Sequence, residues 1–264
     1  LFLAGSLLGS RSGPKPLGEN TTLVIAPEGR LVEQYASDPF TRALSKAMGD
    51  GGESEVQLRD LMSVIRAAGK DEKITRVVLE LDKFSPSGFA SLRELGRAID
   101  QLRADGKQVV AYSQSMGQGQ YLLAAHADEV YLDPMGGLML EGLSGYRQYY
   151  RTLLSDKLGV DMQLFKVGEY KSAAEPYVLD AASAESKEAD LYWMGDIWQR
   201  YVAEVATARK LDPAVLNAGI DTLPEGVMAA GGDLARHALQ LKLVDGLKTR
   251  AEFDALIAER GQAD

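Results

Sequence analysis

The sequence predicts an α/β domain with a parallel sheet covered by helices. Short β-branched segments alternate along the chain with segments whose apolar residues recur at helical spacing. This alternation is typical of units in which a helix returns the chain to start another parallel strand. The length of 264 residues and the 45% hydrophobic content suit one domain with a sizeable core.

Strands are expected where aliphatic and β-branched residues follow one another without a helical period. We predict them at residues 21–26, 76–81, 108–112, 129–132 and 162–167, with a further short extended piece at 138–140. Residues 31–54 are rich in Asp, Gly and Ser without periodicity, which predicts a loop.

Helices are expected where apolar residues repeat every three or four positions. The predicted helices lie at residues 58–69, 92–105, 119–126, 146–158, 185–209, 234–241 and 251–259. The longest of them has Trp198 and Tyr201 on its apolar face, and we interpret both aromatic residues as packing.

The composition excludes several classes of function. The chain has 29 basic and 38 acidic residues, a net charge of −9 and no basic stripe with interleaved aromatics, so nucleic acid is not expected as a partner. It has no cysteine, which excludes disulfides and thiolate zinc sites. Its two histidines, His126 and His237, are far apart and match no metal or triad spacing, so no metal site is predicted.

The first eight residues are apolar but too few to cross a bilayer, which needs about 20. We interpret them as the end of an N-terminal membrane anchor, followed by a Gly/Pro/Ser-rich linker at residues 9–16; a short apolar strand end is the alternative. The predicted organisation is the end of an anchor and a linker at residues 1–20, followed by one domain at residues 21–264.

Lys171 is the candidate catalytic residue. It closely follows the predicted strand at 162–167 and is flanked by Tyr170 and Ser172. A lysine serves as a general base only where burial or a nearby cation lowers the pKa of its ammonium group toward neutrality. An apolar strand end would provide the burial. From the residue types alone, an ordinary exposed lysine remains the alternative.

Residues 164–177 (LFKVGEYKSAAEPY) resemble the lysine motif of the signal peptide peptidase A family, also called protease IV, of the long bacterial type. The stretches at 117–124, 188–199 and 231–245 add to the resemblance, which spans residues 21–258. In the long type two repeats lie in tandem, and this chain is similar to the first, lysine-bearing one.

The resemblance implies a superhelical α/β fold like that of crotonase and Clp protease. It implies a serine/lysine dyad in which Lys171 is the general base, Tyr170 and Ser172 support it, and the second repeat supplies the serine. No metal or cofactor is implied. The substrates would be cleaved signal peptides and other hydrophobic peptides. The implied assembly is a homo-oligomer, a tetramer in the parent protein, anchored in the bacterial inner membrane with its catalytic domain facing the periplasm.

The chain departs from the serine-bearing repeat at the nucleophile. Gln118 stands where that repeat has its serine, and an amide cannot form the attacking alkoxide. In residues 84–88, Ser87 replaces a glycine of the turn that would donate backbone N–H groups to the oxyanion, so we expect that function to be degraded.

Three other interpretations stay open at this point. Ser113, Ser115 or Ser172 could serve as a nucleophile within the chain, although Ser172 is better suited to orienting Lys171. The chain could be a non-catalytic scaffold half of the oligomer. Acyl-CoA chemistry of the crotonase type is a further alternative, although no glutamate pair suited to it is recognisable.

Overall fold

Two parallel sheets organise the structure, a computed structural model that describes residues 17–41, 44 and 54–263. The strands are β1 (Thr21–Ile25), β2 (Gly29–Val32), β3 (Glu55–Gln57), β4 (Ile74–Glu80), β5 (Phe84–Ser85), β6 (Gln108–Gly117), β7 (Glu129–Met139), β8 (Gly246–Leu247) and β9 (Gln262–Ala263). The larger sheet has the order β8-β7-β6-β4-β1-β9, and the smaller one the order β3-β2-β5. Every pairing is parallel, which confirms the predicted sheet type.

Helices connect and cover these strands. They are α1 (Leu58–Lys70), α2 (Phe89–Ala104), α3 (Gln118–Ala124), α4 (Glu175–Val178), α5 (Ala184–Arg209), α6 (Pro213–Asp221), α7 (Leu223–Ala229), α8 (Leu234–Gln240) and α9 (Arg250–Arg260). One π-helix spans Thr152–Lys157.

The core lies on both faces of the larger sheet. In β4, Val77 and Leu79 contribute to a large cluster that includes buried residues of α1, α2, α3 and α5. Val78 faces the opposite side and joins a smaller cluster with Phe253 of α9. Burial on both faces explains why the strands are continuous apolar runs rather than alternating ones.

The strands predicted at 21–26, 76–81, 108–112 and 129–132 are confirmed, and the pieces at 129–132 and 138–140 form the single strand β7. Residues 31–54 are not simply a loop, because β2 ends inside this range at Val32 and β3 begins just after it. Residues 42, 43 and 45–53 lie outside the described part.

Two predictions between β7 and α5 are wrong. Residues 162–167 form no strand; they are irregular and exposed, so this apolar run has no sheet to join. Of the helix predicted at 146–158, only residues 151–157 are helical, and most of these form the π-helix. The preceding backbone is bound elsewhere, since the Tyr150 amide donates a 2.6 Å hydrogen bond to the Pro176 carbonyl.

Of the anchor and linker predicted at residues 1–20, residues 1–16 lie outside the described residues. Within the part of the chain that the structure describes, no helix combines the length and the apolar character required to span a bilayer.

Candidate active site

The turn from β6 into α3 places Gln118 at the carboxyl end of the central strands, where β6 still pairs with β7. The Gln118 side chain donates from Nε2 to the Gly142 carbonyl at 3.0 Å, and its Oε1 accepts from the Glu141 amide at 3.4 Å. Both ends of the amide therefore bind the backbone that leaves β7. At the position that resembles the nucleophile site, this chain has a structural hydrogen-bonding residue.

The segment of residues 84–88 lies against this turn. A Cβ added at Gly119 would come within 2.5 Å of Pro86 Cγ, so the two backbones approach closely. The Gln120 amide secures the contact by donating to the Phe84 carbonyl at 3.1 Å. Ser87 itself is exposed. The segment thus lies beside the Gln118 position, as the resemblance implied, while its capacity to hold an oxyanion stays a prediction.

The alternative serines differ in accessibility. Ser113 is completely buried, and its hydroxyl donates to Asp82 Oδ1 at 2.7 Å. Asp82 Oδ1 also accepts from the Gln114 amide at 2.6 Å, so this carboxylate holds the bend in β6. Ser115 is exposed. A buried serine that binds a carboxylate is suited to structure rather than to attack on a peptide.

Lys171 lies on the irregular segment that precedes α4. Its amide donates to the Gly168 carbonyl at 3.4 Å, and its side chain is exposed. Among the described residues, the Lys171 ammonium group has no hydrogen-bond or ion-pair partner. The strand predicted before Lys171 does not form, and the described residues leave its side chain exposed.

The two residues that flank Lys171 have separate contacts. The Tyr170 phenol donates to Glu188 Oε2 on α5 at 3.1 Å, and this hydrogen bond raises the pKa of the phenol. Ser172 is half-buried, and its carbonyl accepts from the Glu175 amide at 3.1 Å. Tyr170 therefore connects the lysine segment, residues 168–179, to the first half of α5.

Lys171 and Gln118 are attached to different parts of α5. Tyr170 binds Glu188, whereas the Tyr201 phenol donates to the Gln118 carbonyl at 3.0 Å. At about 1.5 Å of rise per residue, Glu188 and Tyr201 lie on the order of 20 Å apart along the helix axis. Tyr170 and the Gln118 carbonyl thus contact α5 at two well-separated positions.

Two residues of this region escaped the sequence analysis. Tyr201 is buried, as expected of a packing residue, yet its hydroxyl also donates a hydrogen bond to the Gln118 carbonyl. Glu175 is buried at 1% exposure, although it follows the lysine in an ordinary Glu-Pro pair. Neither role has a sequence signature, because each depends on contacts between segments.

Large exposed hydrophobic residues of the described part are concentrated between residues 143 and 193. The most exposed members of this apolar stretch are Tyr146 at 100%, Phe165 at 91%, Val167 at 88%, Tyr192 at 83% and Leu191 at 72%. Exposed apolar surface on this scale is unusual for a monomer and typical of an interaction surface.

The two histidines serve packing. His126 is buried with Nδ1 2.9 Å from Asp100 Oδ1, and His237 is buried near Gly226. Within the described residues, no group of three or more His, Cys, Asp or Glu side chains is arranged to hold a metal ion.

Comparison with known protein sequences identifies the family of the chain. The sequence profile described as "Peptidase family S49" matches residues 101–262, which include α3, the lysine segment and α5. The chain therefore belongs to peptidase family S49.

The chain is similar to "Protease 4" of Salmonella typhi, with 35% identity over 90% of this chain and 39% of that protein. "Protease 4" of Haemophilus influenzae is 34% identical over 90% of this chain and 40% of its own length. The chain thus spans about two fifths of these relatives. "Serine protease SPPA, chloroplastic" of Arabidopsis thaliana is 26% identical over 59% of this chain.

Among solved structures, a "1510-N membrane-bound stomatin-specific protease" matches with a TM-score of 0.48 and 11% identity, over 92% of this chain and 86% of that one. An enoyl-CoA hydratase/carnithine racemase from Magnetospirillum magneticum matches with a TM-score of 0.37 and 14% identity, over 76% and 61% of the two chains.

Proposed function

We propose that this chain supplies Lys171 as the general base of a serine/lysine endopeptidase, and that a second, serine-bearing repeat supplies the nucleophile. The observation that carries the proposal is the contrast between Gln118, whose side chain is hydrogen-bonded, and Lys171, whose side chain is exposed. Gln118 occupies the nucleophile position with both ends of its amide hydrogen-bonded, while Lys171 is exposed and unpartnered among the described residues. A lysine presented in this way is available to a group from another repeat.

The proposed chemistry follows from a neutral lysine. Lys171 Nζ accepts the serine proton as the serine oxygen attacks the peptide carbonyl. The resulting ammonium group then gives that proton to the leaving amine as the C–N bond breaks. Water, deprotonated by the same lysine, releases the acyl group and regenerates the serine. No metal or cofactor takes part.

Contact with the serine-bearing repeat would remove water from the Lys171 ammonium group, which is exposed among the described residues. An exposed ammonium group is stabilised by water, and its removal from water lowers its pKa. Phe165 and Val167 precede Lys171 and are almost fully exposed, so a surface that buries them would also dehydrate the lysine. The same apolar surroundings favour hydrophobic peptides, including cleaved signal peptides, as substrates.

The proposed partners are the serine-bearing repeat and further copies in a homo-oligomer, a tetramer in the parent protein. The proposed location is the bacterial inner membrane, with an N-terminal anchor and the catalytic domain on the periplasmic side. The exposed apolar stretch between residues 143 and 193 supports association. Leu191→Lys combined with Tyr192→Lys should reduce association in sedimentation velocity, whereas Val215→Lys, an exposed site outside this stretch, should not. Equal association of the wild type, the double variant and Val215→Lys would contradict the proposed surface.

The decisive experiment measures hydrolysis of a hydrophobic fluorogenic peptide near pH 8. In a protein that contains both repeats, Lys171→Ala should abolish activity, and Lys187→Ala, which removes an exposed lysine of α5, should not. Activity within a few fold of wild type in Lys171→Ala would refute the general-base role.

The chain of 264 residues alone should show no hydrolysis, with or without Lys171→Ala. Activity of the isolated chain that disappears in Lys171→Ala would instead mean that a serine of this chain completes the dyad. The divided arrangement would then be wrong.

A scaffold role is the second candidate, and the hydrogen-bonded Gln118 favours it for the isolated chain. The same measurement distinguishes the two roles. If this chain is only a scaffold, the protein with both repeats should keep its peptidase activity after Lys171→Ala.

A further inference from the structure

The Glu175 carboxylate is buried at 1% exposure four positions after Lys171. Both of its oxygens bind one residue. The Ser183 hydroxyl donates to Oε1 at 2.6 Å, and the Ser183 amide donates to Oε2 at 3.2 Å. A buried carboxylate is costly unless hydrogen bonds compensate it, so these two contacts explain how its burial is tolerated.

Ser183 is the N-cap of α5. Its hydroxyl oxygen accepts from the Ser186 amide at 3.1 Å while its proton goes to Glu175. Its carbonyl accepts from the Lys187 amide at 3.0 Å. The carboxylate thus binds the residue that starts a 26-residue helix, at the end where the helix dipole favours a negative charge.

Short backbone turns connect this anchor to the lysine. The Glu175 amide donates to the Ser172 carbonyl at 3.1 Å, and the Leu179 amide donates to the Glu175 carbonyl at 2.8 Å. The Lys171 side chain has no contact of its own that fixes it among the described residues. Its position therefore depends on how the backbone of residues 168–179 is held.

We propose that Glu175 is a positioning residue that fixes the lysine segment, residues 168–179, to the start of α5 and thereby sets the position of Lys171. The inference rests on the proposed role of Lys171 and adds a residue to it. Glu175 does not touch the reacting atoms; it acts through Ser183 and the backbone. A displacement of about 1 Å at a reacting group can cost on the order of 100-fold in rate, which makes such an anchor consequential.

The first test needs no activity and uses amide hydrogen exchange on the chain of 264 residues. Glu175→Ala should increase exchange across residues 168–179 by about tenfold or more, because it removes both bonds to Ser183. Glu175→Gln should restore much of the protection, since an amide can still accept from the Ser183 N–H. Glu169→Ala is the matched control, because it deletes an exposed carboxylate from the same segment, and it should leave exchange unchanged.

Unchanged exchange in Glu175→Ala, or an equal increase in Glu169→Ala, would overturn the proposal. Ser183→Ala removes the 2.6 Å bond from the other side and keeps the test valid if Glu175→Ala does not fold. It should open the same residues, and unchanged protection there would also overturn the proposal.

The second test measures peptide hydrolysis by a protein with both repeats. Glu175→Ala should lower kcat by about 10- to 100-fold with little change in KM, and Glu175→Gln should recover most of the loss. If Lys171→Ala abolishes hydrolysis while Glu175→Ala keeps full kcat, the positioning role fails and the general-base role stands. If Lys171→Ala leaves hydrolysis intact, the proposed function itself fails, and the exchange data alone decide whether Glu175 anchors the segment.

Discussion

The Tyr201 phenol donates a 3.0 Å hydrogen bond to the main-chain carbonyl of Gln118, and so connects the second half of α5 to the turn between β6 and α3. Tyr201 is 5% exposed, and burial raises the pKa of its phenol far above the ordinary value, so the hydroxyl keeps its proton. The helix whose N-cap, Ser183, binds Glu175 of the lysine segment is thus also attached to the Gln118 turn. One rigid element sets the geometry of both.

Replacement of Tyr201 by Phe should weaken this attachment. The Gln118 carbonyl would lose a buried donor, which costs about 1 kcal/mol of unfolding free energy. Urea denaturation followed by circular dichroism measures the change, with Tyr192→Phe as the control because Tyr192 is 83% exposed. An equal effect in the two variants would show that the bond to Gln118 contributes nothing specific.

A serine introduced at position 118 should remain unreactive in this chain. Gln118→Ser provides the hydroxyl, but the contacts of Tyr170 and of the Gln118 carbonyl reach α5 at Glu188 and Tyr201, which lie on the order of 20 Å apart along the helix axis. We therefore expect a fluorophosphonate probe to label the variant no more than wild type. Labelling that is lost when Lys171→Ala is added would show that copies of this chain can complete the dyad.

Two glycines should respond to alanine in opposite directions. At Gly119 a Cβ would come within 2.5 Å of Pro86 Cγ, so Gly119→Ala should destabilise the fold by about 1–3 kcal/mol. At Gly195 in α5 a Cβ would meet nothing within 4 Å, so Gly195→Ala should stabilise by about 0.5–1 kcal/mol through helix propensity. Thermal or urea unfolding measures both, and a neutral Gly119→Ala would mean that the 84–88 segment moves aside freely.

Stability should fall at alkaline pH through Tyr112. Burial, with a smaller effect from Asp133, raises the pKa of Tyr112 to about 12. The unfolded chain ionises near pH 10 and the folded chain later, so the contribution of this residue is complete below about pH 10 and is lost between pH 10 and 12. Tyr112→Phe should flatten the decline in urea midpoint over this range, whereas Tyr192→Phe should not. Identical slopes in the two variants would contradict the assignment.

Local patterns determined much of the architecture in advance. The apolar run around Val77 and Val78 predicted a strand, and the helical period around Leu92 and Leu95 predicted a helix; the structure adds that this strand is buried on both faces. These segments have strong periodicity, and their partners lie in the same domain. The family resemblance likewise rested on residues that can be read along the chain.

One strand prediction failed because its apolar segment joins neither sheet of the described structure. Residues 162–167 have the composition of a strand, yet they remain irregular and exposed. An apolar composition indicates that a segment tends to be buried, but it does not indicate which other segment or protein buries it. The burial predicted for Lys171 fails in the same way, because the part of the chain that the structure describes leaves its side chain exposed.

By itself, the sequence determined the α/β class with its parallel sheet and the resemblance of the chain to a peptidase family. Only the tertiary structure decided that Gln118 binds the backbone at Gly142, that Glu175 is buried against Ser183, and that Tyr201 of α5 binds the Gln118 carbonyl. The physical reason is the range of the interactions. Strand and helix patterns arise from neighbours along the chain, whereas these hydrogen bonds form between segments that only folding brings together.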